Sequence, residues 1–167
     1  SILTRESTAI LPTMLELPLR PNVCMLLHNQ DSDLFLGERY GEAGVWQLPQ
    51  GGVEAEYSVE ENVLRELEEE IGVGRDLLEI EHCLDWRYEY EWETVPEHYR
   101  GKWRGQSQTF WVVKFSGKDQ DIVLDRYTPE FMNWRWASPE TVLCEAQALR
   151  LPAYQGALQE YSEWQKS

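Results

Sequence analysis

The chain has 167 residues, of which 42% are hydrophobic and 27% charged, proportions that suit one globular domain and exclude a disordered or fibrous chain. Acidic residues number 30 against 15 basic ones, for a net charge of −15. That balance excludes a broad basic footprint for duplex DNA or for an anionic membrane, so an anionic substrate must be met by local charge or by a metal ion.

In chain order, Val23-Cys-Met-Leu-Leu and Leu34-Phe-Leu are short apolar runs. The turn-forming cluster Asn29 to Asp33 between them predicts a hairpin. A glycine-rich stretch from Gly41 to Gly52 follows. Val59, Val63, Leu64, Leu67 and Ile71 then recur at spacings of three and four, the helical period. Ser58 and Glu61 predict a capping box at the start of this helix, and Gly72 a C-terminal cap. Aromatic and β-branched residues from Ile80 to Trp92 and from Gln106 to Phe115 predict strands, with a loop over Thr94 to Arg104. Phe131 to Ala137 predicts a further strand, and Ser138-Pro139 the start of a helix. A helical tail follows, with a break expected at Pro152. The order predicts an α+β fold, a mixed sheet sandwiched between helices.

The segment from Glu54 to Glu70 holds eight acids and one base, Arg65. At about 100° per residue, Glu66, Glu69 and Glu70 converge on one edge of the helix, beside the Val63/Leu67/Ile71 stripe. Like charges crowded there repel one another and sit toward the C-terminal end, where the helix dipole disfavours anions. A set of hard oxygen ligands under that repulsion suits Mg²⁺ or Mn²⁺, although a solvated acidic face has the same spacing.

The run Gly51-x5-Tyr57-x7-Arg65-Glu66-Leu67-x-Glu69-Glu70-x-Gly72-Val73 resembles the Nudix box, G-x5-E-x7-R-E-U-x-E-E-x-G-U with U aliphatic. It departs at one defined position, where Tyr57 replaces a glutamate. Further motifs resemble the branch of RNA pyrophosphohydrolases and dinucleoside polyphosphate hydrolases: Arg20-Pro-Asn-Val, Trp46-Gln-Leu-Pro-Gln-Gly-Gly52, Gly105-Gln-Ser-Gln108, and Pro129-Glu-Phe with Trp134-Arg-Trp136. The likeness covers residues 20 to 136. It implies a Nudix α/β/α sandwich over residues 18–167, after an N-terminal extension over 1–17. It also implies metal-dependent water attack on a phosphoanhydride of an RNA 5′-triphosphate end or a dinucleoside polyphosphate.

By the same resemblance the metal ligands are Gly51 through its carbonyl, Glu66, Glu69, Glu70 and Glu130. The catalytic set is Glu66, Glu69 and Arg65, and the substrate contacts include Arg20, Arg39, Gln50, Gln106 and Gln108. Thr109 stands where this branch commonly has lysine. Within the 94–104 loop, Arg100, Lys102 and Arg104 alternate with Tyr99 and Trp103, able to pair phosphates and stack a base or simply to balance the acidic surface. Trp86, Tyr88, Tyr90 and Trp92 share one side of a strand, where a core stripe is the expected reading. Hydrolysis of free nucleotides or other nucleoside diphosphate derivatives, and a non-catalytic nucleotide-binding module, are the alternatives.

Cys24, Cys83 and Cys144 are odd in number and lack C-x-x-C spacing, which argues against a disulfide framework or a zinc site. No apolar run is long enough to span a bilayer, and no signal peptide layout opens the sequence, so a soluble cytoplasmic protein is expected. Nothing in the sequence sets an oligomeric state.

Overall fold

The structure, a computed structural model, describes residues 16–167; the extension expected over residues 1–17 lies, up to residue 15, outside the described residues. Seven strands form one mixed sheet: β1 (Leu19–His28), β2 (Leu34–Arg39), β3 (Trp46–Gln47), β4 (Gln50–Gly52), β5 (Leu78–Glu91), β6 (Gly105–Phe115) and β7 (Phe131–Ala137). The helices are α1 (Val59–Ile71), α2 (Pro139–Glu145) and α3 (Leu151–Lys166). This is the expected α+β sandwich.

The central strand explains the uninterrupted apolar run of the sequence. On β1, Val23, Met25 and Leu27 pack with Val63, Leu67 and Ile71 of α1, whereas Cys24 and Leu26 pack with Tyr154, Ala157 and Leu158 of α3. A strand covered on both faces has no place for alternating polar residues. Each fully buried Val, Leu or Ile contributes about 1.5–3 kcal/mol, so these two layers set the sandwich.

The predicted hairpin forms, with the Asn29 side chain accepting hydrogen bonds from the backbone of Asp31 and Asp33. Ser58 caps α1 by accepting from Glu61 N at 3.1 Å. The capping box is only half made, because the Glu61 carboxylate pairs with Arg75 instead. Gly72 ends the helix at φ +70, a left-handed conformation that disfavours any side chain. The expected break at Pro152 does not occur: α2 ends at Glu145 and Pro152 sits in the first turn of α3, where its missing N–H costs nothing.

β1 pairs in parallel with β6 from Leu19↔Gly105 to His28↔Lys114. On its other side it pairs with β4 through Asn22, Val23 and Cys24, and then with β2 only at His28↔Leu34. β2 turns instead to β3 and β7. The sheet therefore parts beside β1, and α1 begins seven residues after β4 on the rim of that opening. Among the described residues no helix is long and apolar enough to cross a membrane.

Candidate active site

The opening is a cleft of about 710 Å³ whose lining includes Arg20, Arg39, Gln50, Gly51, Glu66, Glu69, Glu70, Tyr99, Gln106 and Glu130. A second hollow of about 410 Å³ shares Glu66, Glu69, Glu70 and Glu130 and adds Arg65. The helical period of α1 thus brings the three glutamates into one place, and the strand start at Phe131 adds Glu130 from 60 residues farther along the chain.

Glu70 is 6% exposed and its Oε2 is buried without a hydrogen-bond partner. Burial holds its carboxyl well above the usual carboxylate range, helped by the charges of Glu66 and Glu130. The Glu66 carboxyl is pushed up to about 7, again first by burial and then by Glu69, Glu130 and Glu54. Glu66 lies against Gly51 so closely that a Cβ there would collide with its carboxylate. Glycine is required because the backbone of β4 and the acid share this space.

Glu69 is exposed and reaches Arg65 at 3.6 Å. Arg65 also approaches Glu54 at 3.8 Å and stacks over the Tyr57 ring at 4.2 Å. The residue that breaks the box therefore still holds the helix arginine, through the π-face of an aromatic ring instead of a carboxylate.

A string of neutral amides forms the cleft floor. Arg20 Nη1 donates to Gln106 Oε1 at 3.0 Å, and Asn22 Nδ2 donates to the same oxygen at 3.3 Å. Gln108 Nε2 donates to Asn22 Oδ1 at 3.0 Å and to Gln50 Oε1 at 2.9 Å. Gln108 is thus buried under the lining, supporting Gln50. Gln106 also donates to the Tyr90 hydroxyl. Arg39 pairs with Glu42 and donates to Gln47 Oε1 at 3.3 Å.

The 94–104 loop divides. A 3-10 turn over Glu97–Tyr99 brings Tyr99 onto Trp92, stacked at 5.4 Å and 10°, while the Arg20 guanidinium lies 4.7 Å over the other ring centroid of the pair, that of Tyr99. Arg100 and Lys102 are exposed and outside the cleft lining, and Arg104 is bound to Glu91 at 3.0 Å and to the Leu17 carbonyl. The aromatic stripe divides as well. Trp86 and Tyr88 pack on the core beneath α3, as a core stripe should, but Tyr90 and Trp92 line the cleft. Sequence reasoning missed Tyr90, Trp92, Asn22 and Arg150 as lining residues. Asn22 lay within a quoted motif; Tyr90 and Trp92 carried no local signal beyond strand alternation, and Arg150 carried none.

These residues fit a divalent cation by donor chemistry. They supply several hard oxygens in one hollow, a buried carboxylate oxygen without a partner, and mutual repulsion that a cation would relieve. Among the described residues no three His, Cys, Asp or Glu side chains are grouped closely enough to hold a metal ion as they stand, and the Glu69 carboxylate turns to Arg65.

A family profile described as "NUDIX domain" matches residues 18–158. The chain is 36% identical over 151 residues to a Dinoroseobacter shibae protein named "RNA pyrophosphohydrolase", covering 89% of this chain and 94% of the relative. It is also 36% identical over 146 residues to one of the same name from Wolbachia of Drosophila simulans, covering 86% and 89%. A Caenorhabditis elegans protein described as an Ap4A hydrolase binary complex shares the fold at TM-score 0.62 and 18% identity, over 87% of this chain and 98% of that one. The family match, the full-length relatives and the carboxylate helix seated in the cleft agree, and the chain belongs to the Nudix family.

Proposed function

We propose that this protein is a metal-dependent pyrophosphohydrolase that uses water to cleave a phosphoanhydride in RNA 5′-triphosphate ends or dinucleoside polyphosphates. The observation that carries the reading is the placement of Glu66, Glu69, Glu70 and Glu130 in one cleft with Arg20 and a stacked aromatic pair. Acids alone would repel a polyphosphate, and arginines alone would bind it without activating water. The combination suits hydrolysis of a nucleotide anhydride.

Glu66, Glu69, Glu70, Glu130 and the Gly51 carbonyl would hold Mg²⁺ or Mn²⁺. Such an ion, when bound, lowers the pKa of water and offsets charge on phosphate oxygens. We assign to Glu69, the most exposed acid of the α1 edge and paired with Arg65 at 3.6 Å, the role of accepting a proton from the attacking water. Arg20 would draw in a phosphate and, with Tyr99 and Trp92, present the surface on which a base stacks. The amide floor keeps Arg20 and Gln50 in register through uncharged links that do not compete for the anion. The three cysteines are all unpaired, which supports a cytoplasmic setting, and the net charge disfavours duplex DNA and membranes as partners.

The test is product analysis with 5′-triphosphorylated RNA, diadenosine tetraphosphate, nucleoside triphosphates and nucleotide sugars, with Mg²⁺ or Mn²⁺ added. The expected result is fastest turnover of the first two and none in excess chelator. Preferred cleavage of nucleotide sugars, or turnover that survives chelation, refutes the reading.

A further inference from the structure

Arg150 stands outside the family box and outside every motif of the first 136 residues, yet it lines the cleft. It is the residue before α3, in the segment that joins α2 to α3. Its guanidinium donates to Gln50 Oε1 at 3.2 Å and lies near the Tyr154 hydroxyl, which accepts from Leu48 N at 3.1 Å. Both neighbours are neutral. No carboxylate of the described residues lies within ion-pair distance of Arg150, and its Nε is buried without an acceptor. A charge half removed from water and left without a counterion costs stability, which an incoming oxyanion would offset. The N-terminus of α3, directly behind Arg150, adds a partial positive charge.

The position of this cation matters as much as its isolation. Arg20 and Arg150 are the two ends of one hydrogen-bonded string, Arg20–Gln106–Asn22–Gln108–Gln50–Arg150. Gln50 pairs with Cys24 of β1, whereas the Arg20 guanidinium lies against Gly52, which pairs with Asn22, so the two ends stand two residues apart in register, roughly 7 Å of strand rise at 3.3 Å per residue. The acids of α1 open onto the same cleft. Arg39, the third arginine of the lining, is already paired with Glu42, and Arg65 with Glu54 and Glu69. The two cations without a carboxylate are therefore the two that terminate the floor.

We propose that Arg150 is a second phosphate-anchoring residue, placed at the end of the cleft away from Arg20, and that this spacing selects tri- and tetraphosphate chains over diphosphates. This rests on reading the cleft as the substrate site. A diphosphate spanning the acids can reach one arginine, whereas a longer chain reaches both, so the second contact discriminates by chain length.

The test compares wild type with Arg150→Met and Arg150→Lys. Binding of diadenosine tetraphosphate and of ADP is measured by calorimetry in chelator, where no turnover is expected, and kcat and KM are then measured with metal. The expected result is a loss of about tenfold in tetraphosphate affinity for Arg150→Met, as for one charge-assisted contact. ADP affinity should change less than threefold, KM should rise more than kcat falls, and Arg150→Lys should recover most of the loss. Equal losses for both ligands, or lysine no better than methionine, would assign Arg150 to support of Gln50 and Tyr154 and overturn the anchoring role. If wild type hydrolyses the tetraphosphate and Arg150→Met keeps its affinity, only this inference fails. If wild type binds no phosphate ligand and hydrolyses none, the proposed function fails with it.

Discussion

Replacing Glu66 by glutamine removes one charge from the acid cluster at almost constant volume, and its effect on stability should oppose its effect on catalysis. Burial and the neighbouring acids raise the folded-state pKa of Glu66 to about 7 from its ordinary 4.5. The folded protein then binds this proton more tightly than the unfolded chain, so stability falls as pH rises from about 4.5 to 7 and the full cost persists above that. At 1.36 kcal/mol per pH unit, discounted for the water that still reaches the group, ionised Glu66 costs the metal-free protein about 2–3 kcal/mol at pH 8. Glu66→Gln should accordingly melt roughly 5–10 °C higher than wild type at pH 8 in chelator, since about 2–4 °C accompany each kcal/mol at this chain length. The two proteins should converge near pH 4.5. Added Mg²⁺ should stabilise wild type and narrow the gap, because the cation binds the ionised carboxylates of the folded state, while activity of the variant should fall at least a hundredfold. Thermal melts from pH 4.5 to 8.5, with and without Mg²⁺, give the comparison. A variant less stable than wild type at pH 8 in chelator would show that Glu66 is paid for by interactions stronger than the repulsion described here, and would refute the reasoning.

Glu69→Gln should lower kcat by two orders of magnitude or more, on the order of 3 kcal/mol of barrier, with the melting temperature within a few degrees of wild type; steady-state kinetics with near-full activity would remove Glu69 from the chemistry. Tyr57→Glu exchanges a ring stacked on Arg65 for a carboxylate where Glu54 already approaches at 3.8 Å. Both interactions are worth about 0.2–1 kcal/mol at an exposed place, so kcat and stability should each change by less than about 1.4 kcal/mol. A far larger gain in kcat would show the natural box to be impaired. Neutralising Arg100 and Lys102 together should leave KM within about twofold, since both lie outside the cleft and exposed charges are strongly screened; a KM several times higher would bring the outer loop into substrate binding.

The parts of this protein legible in the sequence are those that depend on neighbours a few residues away. Helical period places Glu66, Glu69 and Glu70 on one edge of α1, and Ser58 and Gly72 mark its ends through their own side-chain and backbone preferences. The Asn29 turn and the strand runs on either side are equally local. Tertiary structure decided the rest. Whether Pro152 would break a helix or begin one depended on where α2 stopped, and that followed from the packing of Val142 and Ala153 in one core layer. Four aromatics of identical spacing divide into core and cleft because α3 covers only the first two, with Gly156 close against Trp86. Tyr99 reaches the cleft and Arg100 does not, since the 3-10 turn ends between them. Arg150 meets Gln50 across 100 residues of chain, a contact no local period encodes, because it exists only once the strands have parted and α3 has closed over the sheet.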